Sequence, residues 1–261
     1  MNNMLKVENI EVYGFEAAIR GARNPMNSWD RIDSTVGFIN LPGAYCKLTY
    51  IIGPNDYKML KNLTLAGPEH RKWNRMVTVT MDITAPMYWF SEYDTYKIAT
   101  TANSTSKMHK MLAKPFEMSD FSFDRLIGYN ESNISMRELG RKYGVSHTCI
   151  SGIVNDKYKY ADKVNIYEEV ARPIVDTLNE LRDMWFNCDD EVIKKQIWYN
   201  ILQLLPDSYN QKRTVHLNYE TLGAMYRQRR HHKLDEWHVF CDTLEKLPYS
   251  EFITMKFEEV E

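Results

Sequence analysis

The spacing of apolar positions divides the chain into strands and helices. Residues 76–81 alternate apolar and polar side chains with β-branched residues and predict a strand. Residues 5–14 carry Val7, Ile10 and Val12 among polar positions and predict a strand or an extended arm. Four later stretches place apolar residues at helical spacing: 173–187, 189–205, 217–230 and 234–247. The pattern predicts an α+β fold with a helix-rich C-terminal half.

Shorter helices are predicted in the first half of the chain. Residues 15–23 contain helix formers, and Pro25 should end that helix because the residue before a proline is pushed out of the α region. A second helix should begin after Pro54 with Asn55 as its N-cap and stop at Gly67. Residues 87–96 are rich in aromatic side chains and are predicted to be helical.

Composition narrows the function classes. The 261 residues contain 33 basic and 35 acidic side chains, for a formal net charge of −2, and 44% of them are apolar. These values exclude a disordered or collagen-like chain and a globally basic nucleic-acid binder, but not a local basic patch. The 13% of aromatic residues is typical of ligand clefts and subunit interfaces, and equally of a polar, tyrosine-rich core.

The location and the metal content of the protein are also constrained. No apolar run approaches the roughly 20 residues that span a bilayer, and the first residues lack the apolar region of a signal peptide. The four cysteines form no C-x-x-C pair, and the adjacent His231 and His232 cannot share a metal in the usual i, i+4 manner. We expect a cytoplasmic location with reduced thiols, no membrane contact and no metal site.

Residues 135–155 have the order of a helix-turn-helix. Met136 and Leu139 lie on one face of a first helix, Gly144 suits a tight turn, and Ser146 can cap a second helix. This order resembles the helix-turn-helix of small phage and bacterial DNA-binding modules.

Charge in the same region suits contact with phosphate. Residues 125–163 contain seven basic and four acidic side chains. The polar residues expected to face DNA are Lys142, His147, Thr148 and Ser151. They include none of the Arg, Gln or Asn residues that usually read base edges, so sequence reading should be weak. The alternative is a compact helical hairpin used for packing or assembly.

Three strings outside this region resemble the flavin-dependent thymidylate synthase family, and more closely its divergent phage and prophage branch. The first is Gly67-Pro68-Glu69-His70, followed after a β segment by Ala85-Pro86. The second, at residues 99–106, resembles the second half of the signature R-H-R-x7-S. The third is Leu205-Pro206 with Asn218 and Arg229 at the family spacing. The resemblance predicts a thymidylate synthase-like domain over residues 1–123 and 171–261, with the helix-turn-helix inserted at residues 124–170.

The resemblance implies a reaction and its cofactors. In this family a folate, methylenetetrahydrofolate, donates a methylene group to dUMP, reduced FAD supplies a hydride, and NADPH reduces the flavin. No protein nucleophile is required, so no catalytic residue is assigned, and the protein mainly orients cofactors and stabilises charge. An active site shared between subunits of a homotetramer is also implied.

The resemblance also assigns binding residues. Those on the flavin side are His70, Lys97, Asn103 and Asn218, and those on the nucleotide side are Ser106 and Arg229. Arginine suits its role because its fork makes two charge-assisted bonds to a phosphate or to a pyrimidine edge. Each of four positions also has a simpler interpretation. His70 could pair with Glu69, Asn218 could close a turn, Ser106 could cap a helix, and Arg229 could belong to a solvated basic face.

Departures from the family pattern leave a second function open. Tyr96-Lys97-Ile98 stands where the family has R-H-R, and Ser104, Met108 and Glu220 replace further charged contacts. The neighbouring cations that could compensate are Arg71, Lys72, Arg75, Lys212 and Arg213. The alternatives to an active enzyme are a catalytically silent nucleotide- or DNA-binding protein with this fold, and a structural assembly protein.

Overall fold

A computed structural model describes residues 5–41, 45–123 and 171–255. The strands are β1 (Lys6–Tyr13), β2 (Thr35–Leu41), β3 (Tyr45–Ile51), β4 (Thr78–Pro86), β5 (Thr101–Ser104) and β6 (Asn210–Asn218). The first helices are α1 (Phe15–Arg23), α2 (Pro54–Leu65), α3 (Met87–Tyr93) and α4 (Lys107–Lys110). The later ones are α5 (Arg172–Phe186), α6 (Glu191–Leu204), α7 (Tyr219–Arg229), α8 (Asp235–Leu244) and α9 (Glu251–Thr254). None of these helices combines the length and the apolar character needed to cross a membrane.

The chain forms two compact units, each described by itself. Among the described residues, unit 1 contains 86–88, 105–123 and 171–211, and unit 2 contains 5–41, 45–85, 89–104 and 212–255. The predicted helix-turn-helix, with Lys142, His147, Thr148 and Ser151, lies outside the described residues. That module and its boundaries at 124 and 170 stay predictions.

Unit 1 contains the α5–α6 hairpin, in which the two helices pack against each other. Pro173 occupies the first turn of α5, and the Asp190 carboxylate caps α6 by accepting from the backbone N–H groups of Val192 and Ile193. Leu178 and Ile201 are buried in the core of this unit with aromatic residues of the 111–123 segment. The helical spacing in the sequence predicted both helices to within two residues.

Unit 2 contains a four-stranded sheet in the order β1-β4-β6-β5. Strands β1 and β4 are antiparallel, as are β5 and β6. Alternate residues of β4, among them Val79, Met81 and Ile83, are buried, while their neighbours are partly exposed. The apolar and polar positions that alternate in the sequence therefore correspond to the buried and the partly exposed face of the strand.

The predicted boundaries of two elements of this sheet were wrong. The strand predicted at 76–81 begins at Thr78 and continues to Pro86, because a proline is tolerated at the end of a strand where no ladder bond is lost. The helix predicted from Leu217 begins instead at Tyr219, because residues 210–218 form β6, which the sequence did not indicate. Asn218 is thus the junction between a buried strand and a helix.

Helix α1 has the predicted bounds, Phe15–Arg23, but the backbone at its end differs from the expectation. Gly14 precedes it with φ of 100°, and a Cβ at Gly14 would lie 2.1 Å from the Met76 carbonyl oxygen, so no other residue fits there without movement. Asn24 keeps helical dihedral angles although Pro25 follows it. The chain continues into a 3-10 turn, Asn24–Met26, and leaves it through Asn27 in the left-handed region.

Helix α2 is capped by a residue that is distant in sequence. Asn55 is not its N-cap, because the helix starts at Pro54. The Asp33 carboxylate instead accepts from the backbone N–H groups of Asn55 and Asp56, at 2.8 and 3.0 Å. Burial alone raises the pKa of Asp33, but these backbone hydrogen bonds outweigh it and lower the pKa. The predicted stop holds, since Gly67 follows the end of the helix with φ of 122°.

Candidate functional site

Helix α7 carries the two residues with the strongest family spacing at its two ends. Asn218 is its N-cap, and the side-chain Oδ1 accepts from the backbone N–H of Thr221 at 2.9 Å. Arg229 is its last residue. Eleven residues separate them, which corresponds to about 16 Å along a helix. The capping that Asn218 performs is the simpler interpretation of this residue, and it leaves the amide NH2 group as the donor for a ligand.

Arg229 is held by a polar network. Its Nη1 lies 2.9 Å from Oε2 of Glu92, and its Nε donates to the Tyr96 hydroxyl at 2.9 Å. The Tyr96 hydroxyl donates in turn to Oε1 of Gln228 at 2.8 Å. The Arg229 side chain is only 15% exposed, so it does not belong to a solvated basic face, and that simpler interpretation is wrong.

An aromatic floor supports the same guanidinium. Its Cζ lies 5.1 Å from the centroid of the Trp237 ring and 5.5 Å from that of Tyr96, within cation–π range. Trp237 is fully buried and packs on Trp89 with ring centroids 4.7 Å apart. We call Arg229, Glu92, Tyr96, Gln228 and Trp237 the Arg229 cluster. The high aromatic content of the sequence is concentrated in part here.

Three buried polar atoms near the Arg229 cluster have no hydrogen-bond partner among the described residues. They are Nε1 of Trp89, the hydroxyl of Tyr93 and Nε1 of Trp237. The Trp89 and Tyr93 rings stack at 5.4 Å, so the three side chains form one group. An unsatisfied buried polar group costs about 1–3 kcal/mol. Stable proteins rarely accumulate such groups away from functional sites.

A histidine borders the Arg229 cluster. His232 packs against the Trp237 ring at 6.3 Å, and its Nδ1 accepts from the backbone N–H of Leu234. Burial and the nearby Arg229 charge lower the pKa of His232, although Glu92 partly opposes this. His232 is therefore neutral at pH 7. Over the described ranges, no three His, Cys, Asp or Glu side chains are grouped so that they could hold a metal ion.

A second charged group lies at the N-terminal end of α7. Nε of Arg71 lies 3.2 Å from Oε1 of Glu220 in the first turn of the helix. Burial and the charge of Arg71 lower the pKa of Arg227, while Glu220 opposes them, so all three groups interact. A Cβ at Gly223 would lie 3.2 Å from Nη1 of Arg227, so the glycine lets that side chain lie along the helix. We call Arg71, Glu220 and Arg227 the Arg71 cluster.

The remaining predicted residues lie elsewhere. The Nε2 of His70 is 3.5 Å from Oε1 of Glu69, as its simpler interpretation predicted, and its side chain is about half exposed. Lys97 is exposed, and Asn103 lies on the exposed strand β5 opposite Thr214. Ser106 belongs to unit 1, where its carbonyl oxygen accepts from the backbone N–H of Lys110 at the start of α4. Within unit 2, the structure brings none of His70, Lys97 and Asn103 into the Arg229 cluster.

The cations proposed to compensate for missing family contacts are mostly paired. Arg213 lies 2.7 Å from Asp94, and Lys212 lies 3.0 Å from Asp82. Lys72 and Arg75 are exposed. Sequence reasoning missed Glu92 and Trp237, and it treated Tyr96 only as a departure from the family motif. Glu92 lies in α3, whereas Tyr96 follows the end of that helix, so helical spacing in the sequence did not link the two side chains.

Comparisons with known proteins identify the fold. No protein-family model matches the chain, and no curated protein does. A solved structure of thymidylate synthase X (ThyX) from Helicobacter pylori with FAD and dUMP is similar, with 15% identity, a TM-score of 0.56 and coverage of 95% of both chains. A second structure of the Helicobacter pylori flavin-dependent enzyme with FAD and dUMP has 14% identity, a TM-score of 0.58 and coverage of 97% of this chain and 100% of that one. A UMP/dUMP methylase, PolB from Streptomyces cacaoi bound with 5-Br dUMP, has 14% identity, a TM-score of 0.52 and coverage of 92% and 88%. The chain therefore has the fold of the flavin-dependent thymidylate synthases.

Proposed function

We propose that the protein is a flavin-dependent methylase of a deoxypyrimidine nucleotide, dUMP or a close relative. The observation that carries this proposal is the position of Asn218 and Arg229 at the two ends of α7, in a fold shared with proteins solved with FAD and dUMP. FAD is the proposed cofactor, and NADPH and methylenetetrahydrofolate are the proposed co-substrates.

The Arg229 cluster supports nucleotide binding. A guanidinium group on an aromatic floor, with its direction fixed by Glu92 and Tyr96, is rigid and largely removed from water. Its charge-assisted hydrogen bonds are stronger than they are at an exposed position. In this proposal Arg229 binds and orients the nucleotide, Trp237 supports it, and neither reacts.

The Arg71 cluster suits a flavin dinucleotide. Arg71 pairs with Glu220 in the first turn of α7, where the helix dipole also favours negative charge, and Arg227 interacts with both through its charge. In the preceding turn, Arg71–Arg75, the buried Nε1 of Trp73 and Oδ1 of Asn74 have no partner among the described residues. The guanidinium groups and the indole N–H can donate to an anionic group, and the Asn74 oxygen can accept from a polar ring system. Asn218 would donate to the ring, and Arg71 and Arg227 would face the phosphates.

The reaction follows from the cofactors, and the protein contributes orientation and charge. When bound, reduced flavin supplies the hydride that completes a methyl group from the folate-derived methylene, which replaces the hydrogen at C5 of the pyrimidine. In this proposal Arg229 stabilises negative charge on the pyrimidine.

Pairing of the cations favours a second candidate, a catalytically silent nucleotide-binding protein. Arg229, Arg71 and Arg213 each contact a carboxylate, so each must share its charge with any phosphate ligand. A DNA contact through residues 135–155, a homotetramer with shared sites, a relationship to phage-type members and a cytoplasmic location all stay predictions of the sequence.

The visible absorption spectrum of the purified protein, with its retained small molecules identified by mass, tests the proposal. We expect the spectrum of oxidised flavin, either as purified or after addition of FAD. The flavin absorbance should be weaker in Asn218→Ala and unchanged in Asp242→Asn, a control substitution on α8. Flavin binding together with NADPH-dependent formation of the methylated nucleotide supports the enzyme. Nucleotide binding without flavin supports the silent protein, and binding of neither contradicts both.

A further inference from the structure

The Arg229–Glu92 pair offers a donor next to an acceptor, which is the pattern of a base edge and not of a phosphate. We propose that Glu92 is a specificity-determining residue that, together with Arg229, recognises the edge of a pyrimidine base where an N–H adjoins a hydrogen-bond acceptor. The same carboxylate keeps phosphate away from Arg229. This inference rests on the proposed function and adds Glu92 to the residues that would contact the nucleotide base.

Two atoms of the pair are available for such an edge. Arg229 uses Nη1 for Glu92 and Nε for Tyr96, and Glu92 uses Oε2. No described residue makes a hydrogen bond to Nη2 of Arg229 or to Oε1 of Glu92. One guanidinium N–H group can donate to a ring carbonyl while the carboxylate oxygen accepts from the neighbouring ring N–H. Uracil presents a carbonyl beside N3–H, and cytosine presents N3 beside its amine.

Charge separates this ligand from a phosphate. Glu92 neutralises Arg229, so a neutral base edge meets a neutral pair that is already oriented. A phosphate placed on the same guanidinium would also meet the Glu92 carboxylate at short range, and such a like-charge contact is unfavourable. The pair therefore favours bases and disfavours phosphate at this one position.

The surroundings fix the direction of the pair. The Tyr96 hydroxyl accepts from Arg229 and donates to Gln228, so its own orientation is set. Trp237 supports the guanidinium from below, and Glu92 stays 42% exposed. The acceptor is thus reachable, while the donor is held in one geometry. An oriented pair loses little freedom on binding, which is the condition for base discrimination.

Probes with and without the ring N–H test the proposal. Titration of the wild-type protein with deoxyuridine and 3-methyldeoxyuridine, which lacks N3–H, should show about tenfold or greater preference for deoxyuridine. In Glu92→Ala the two nucleosides should bind alike. Glu92→Gln should increase the affinity for dUMP relative to deoxyuridine by about tenfold, because Arg229 becomes an unneutralised cation. Asp242→Asn, which breaks the ion pair of Arg230 on α8, should change none of these ratios.

Titration with deoxycytidine compares the two base edges. Uracil and cytosine can each make both hydrogen bonds to the pair, and the tighter-binding nucleoside identifies the base that the complete site prefers. Three results overturn the proposal. In the first, methylation of N3 leaves the affinity of the wild type unchanged. In the second, Glu92→Ala tightens the nucleoside and dUMP equally, as for a carboxylate that merely blocks the site. In the third, no nucleoside binds the wild-type protein; flavin retention then shows separately whether the proposed function survives. Glu92→Gln retains the side-chain shape, and its unfolding midpoint verifies that it folds.

Discussion

Two arginine–carboxylate pairs in unit 2 have the same chemistry and different surroundings. In the first, Asp56 is fully buried, and its Oδ1 accepts from Arg23 while its Oδ2 accepts from the backbone N–H groups of Asp33 and Ser34 and from the Ser34 hydroxyl. In the second, Glu92 is 42% exposed and makes one ion pair with Arg229. Both carboxylate oxygens of Asp56 therefore accept hydrogen bonds, whereas only one oxygen of Glu92 has a partner among the described residues.

The difference separates a structural pair from a binding pair. The Arg23–Asp56 pair joins the end of α1 to the start of α2, and both side chains are buried. The Arg229–Glu92 pair links α7 to α3 through side chains alone and lies beside buried polar groups that lack partners among the described residues. Removal of one partner from a buried ion pair is strongly destabilising, whereas a half-exposed pair on rigid aromatic rings is accessible to a ligand.

Removal of the structural carboxylate should have the largest effect on stability. Asp56→Ala leaves the Arg23 guanidinium buried without a partner, and we expect a loss of about 3–5 kcal/mol in the free energy of unfolding. Chemical denaturation of the variant beside wild type measures it. A loss below about 1 kcal/mol would show that water or another group replaces the carboxylate and would remove the contrast between the pairs.

Replacement of Arg229, the arginine of the binding pair, should lower the affinity for dUMP much more than the free energy of unfolding. Arg229→Lys keeps one charge but loses the fork, so dUMP affinity should fall by about 2–5 kcal/mol. The free energy of unfolding should change by only about 1 kcal/mol. Calorimetric titration and denaturation of the same preparation measure both. The reverse result, a large loss of stability with unchanged affinity, would make Arg229 a structural residue.

The carboxylate of the binding pair should matter little to the fold. Glu92→Gln removes a half-exposed ion pair, which contributes about 0–1 kcal/mol. Its free energy of unfolding should stay within that range of wild type. A loss comparable to that of Asp56→Ala would show that the two pairs have the same role.

The smallest expected effect is on the pH dependence of stability, through a third acidic residue, Asp82, on the sheet. Hydrogen bonds from Thr214 and Asn9, and then from Lys212, lower the pKa of Asp82 from 3.8 to about 2. Because the folded-state pKa is depressed, this stabilisation is complete above about pH 4 and is lost as the pH falls towards 2. The unfolding midpoint of Asp82→Asn should depend less on pH in that window than the midpoint of wild type. Parallel pH profiles would show that Asp82 contributes nothing to acid sensitivity.

The sequence predicted correctly those helices and turns whose formation depends on residues close together in the chain. Helix α1, the hairpin of α5 and α6 and the stop at Gly67 follow from periodicity and from a glycine with positive φ. Strand β6 was missed because its burial alternates irregularly, and only the neighbouring strands make it a strand. The cap of α2 was misassigned because Asp33, which supplies it, lies 22 residues before Asn55.

The candidate site was predictable only in part. Family spacing singled out Asn218 and Arg229, and the structure has them at the two ends of α7. The partners of Arg229 could not be read from spacing, because Glu92 and Tyr96 lie more than 130 residues before it and meet it only through the fold. Local order in the sequence thus predicts the arginine, and the tertiary structure determines what that arginine can recognise.

Quenching of tryptophan fluorescence by dUMP tests the central claim most directly, because Trp237 lies beneath Arg229. Titration of the wild-type protein should give a saturable change, and the same titration of Arg229→Lys should give a curve shifted to much higher nucleotide concentration. Asp242→Asn should superimpose on wild type. Identical curves for wild type and Arg229→Lys would contradict the claim that this cluster binds the nucleotide.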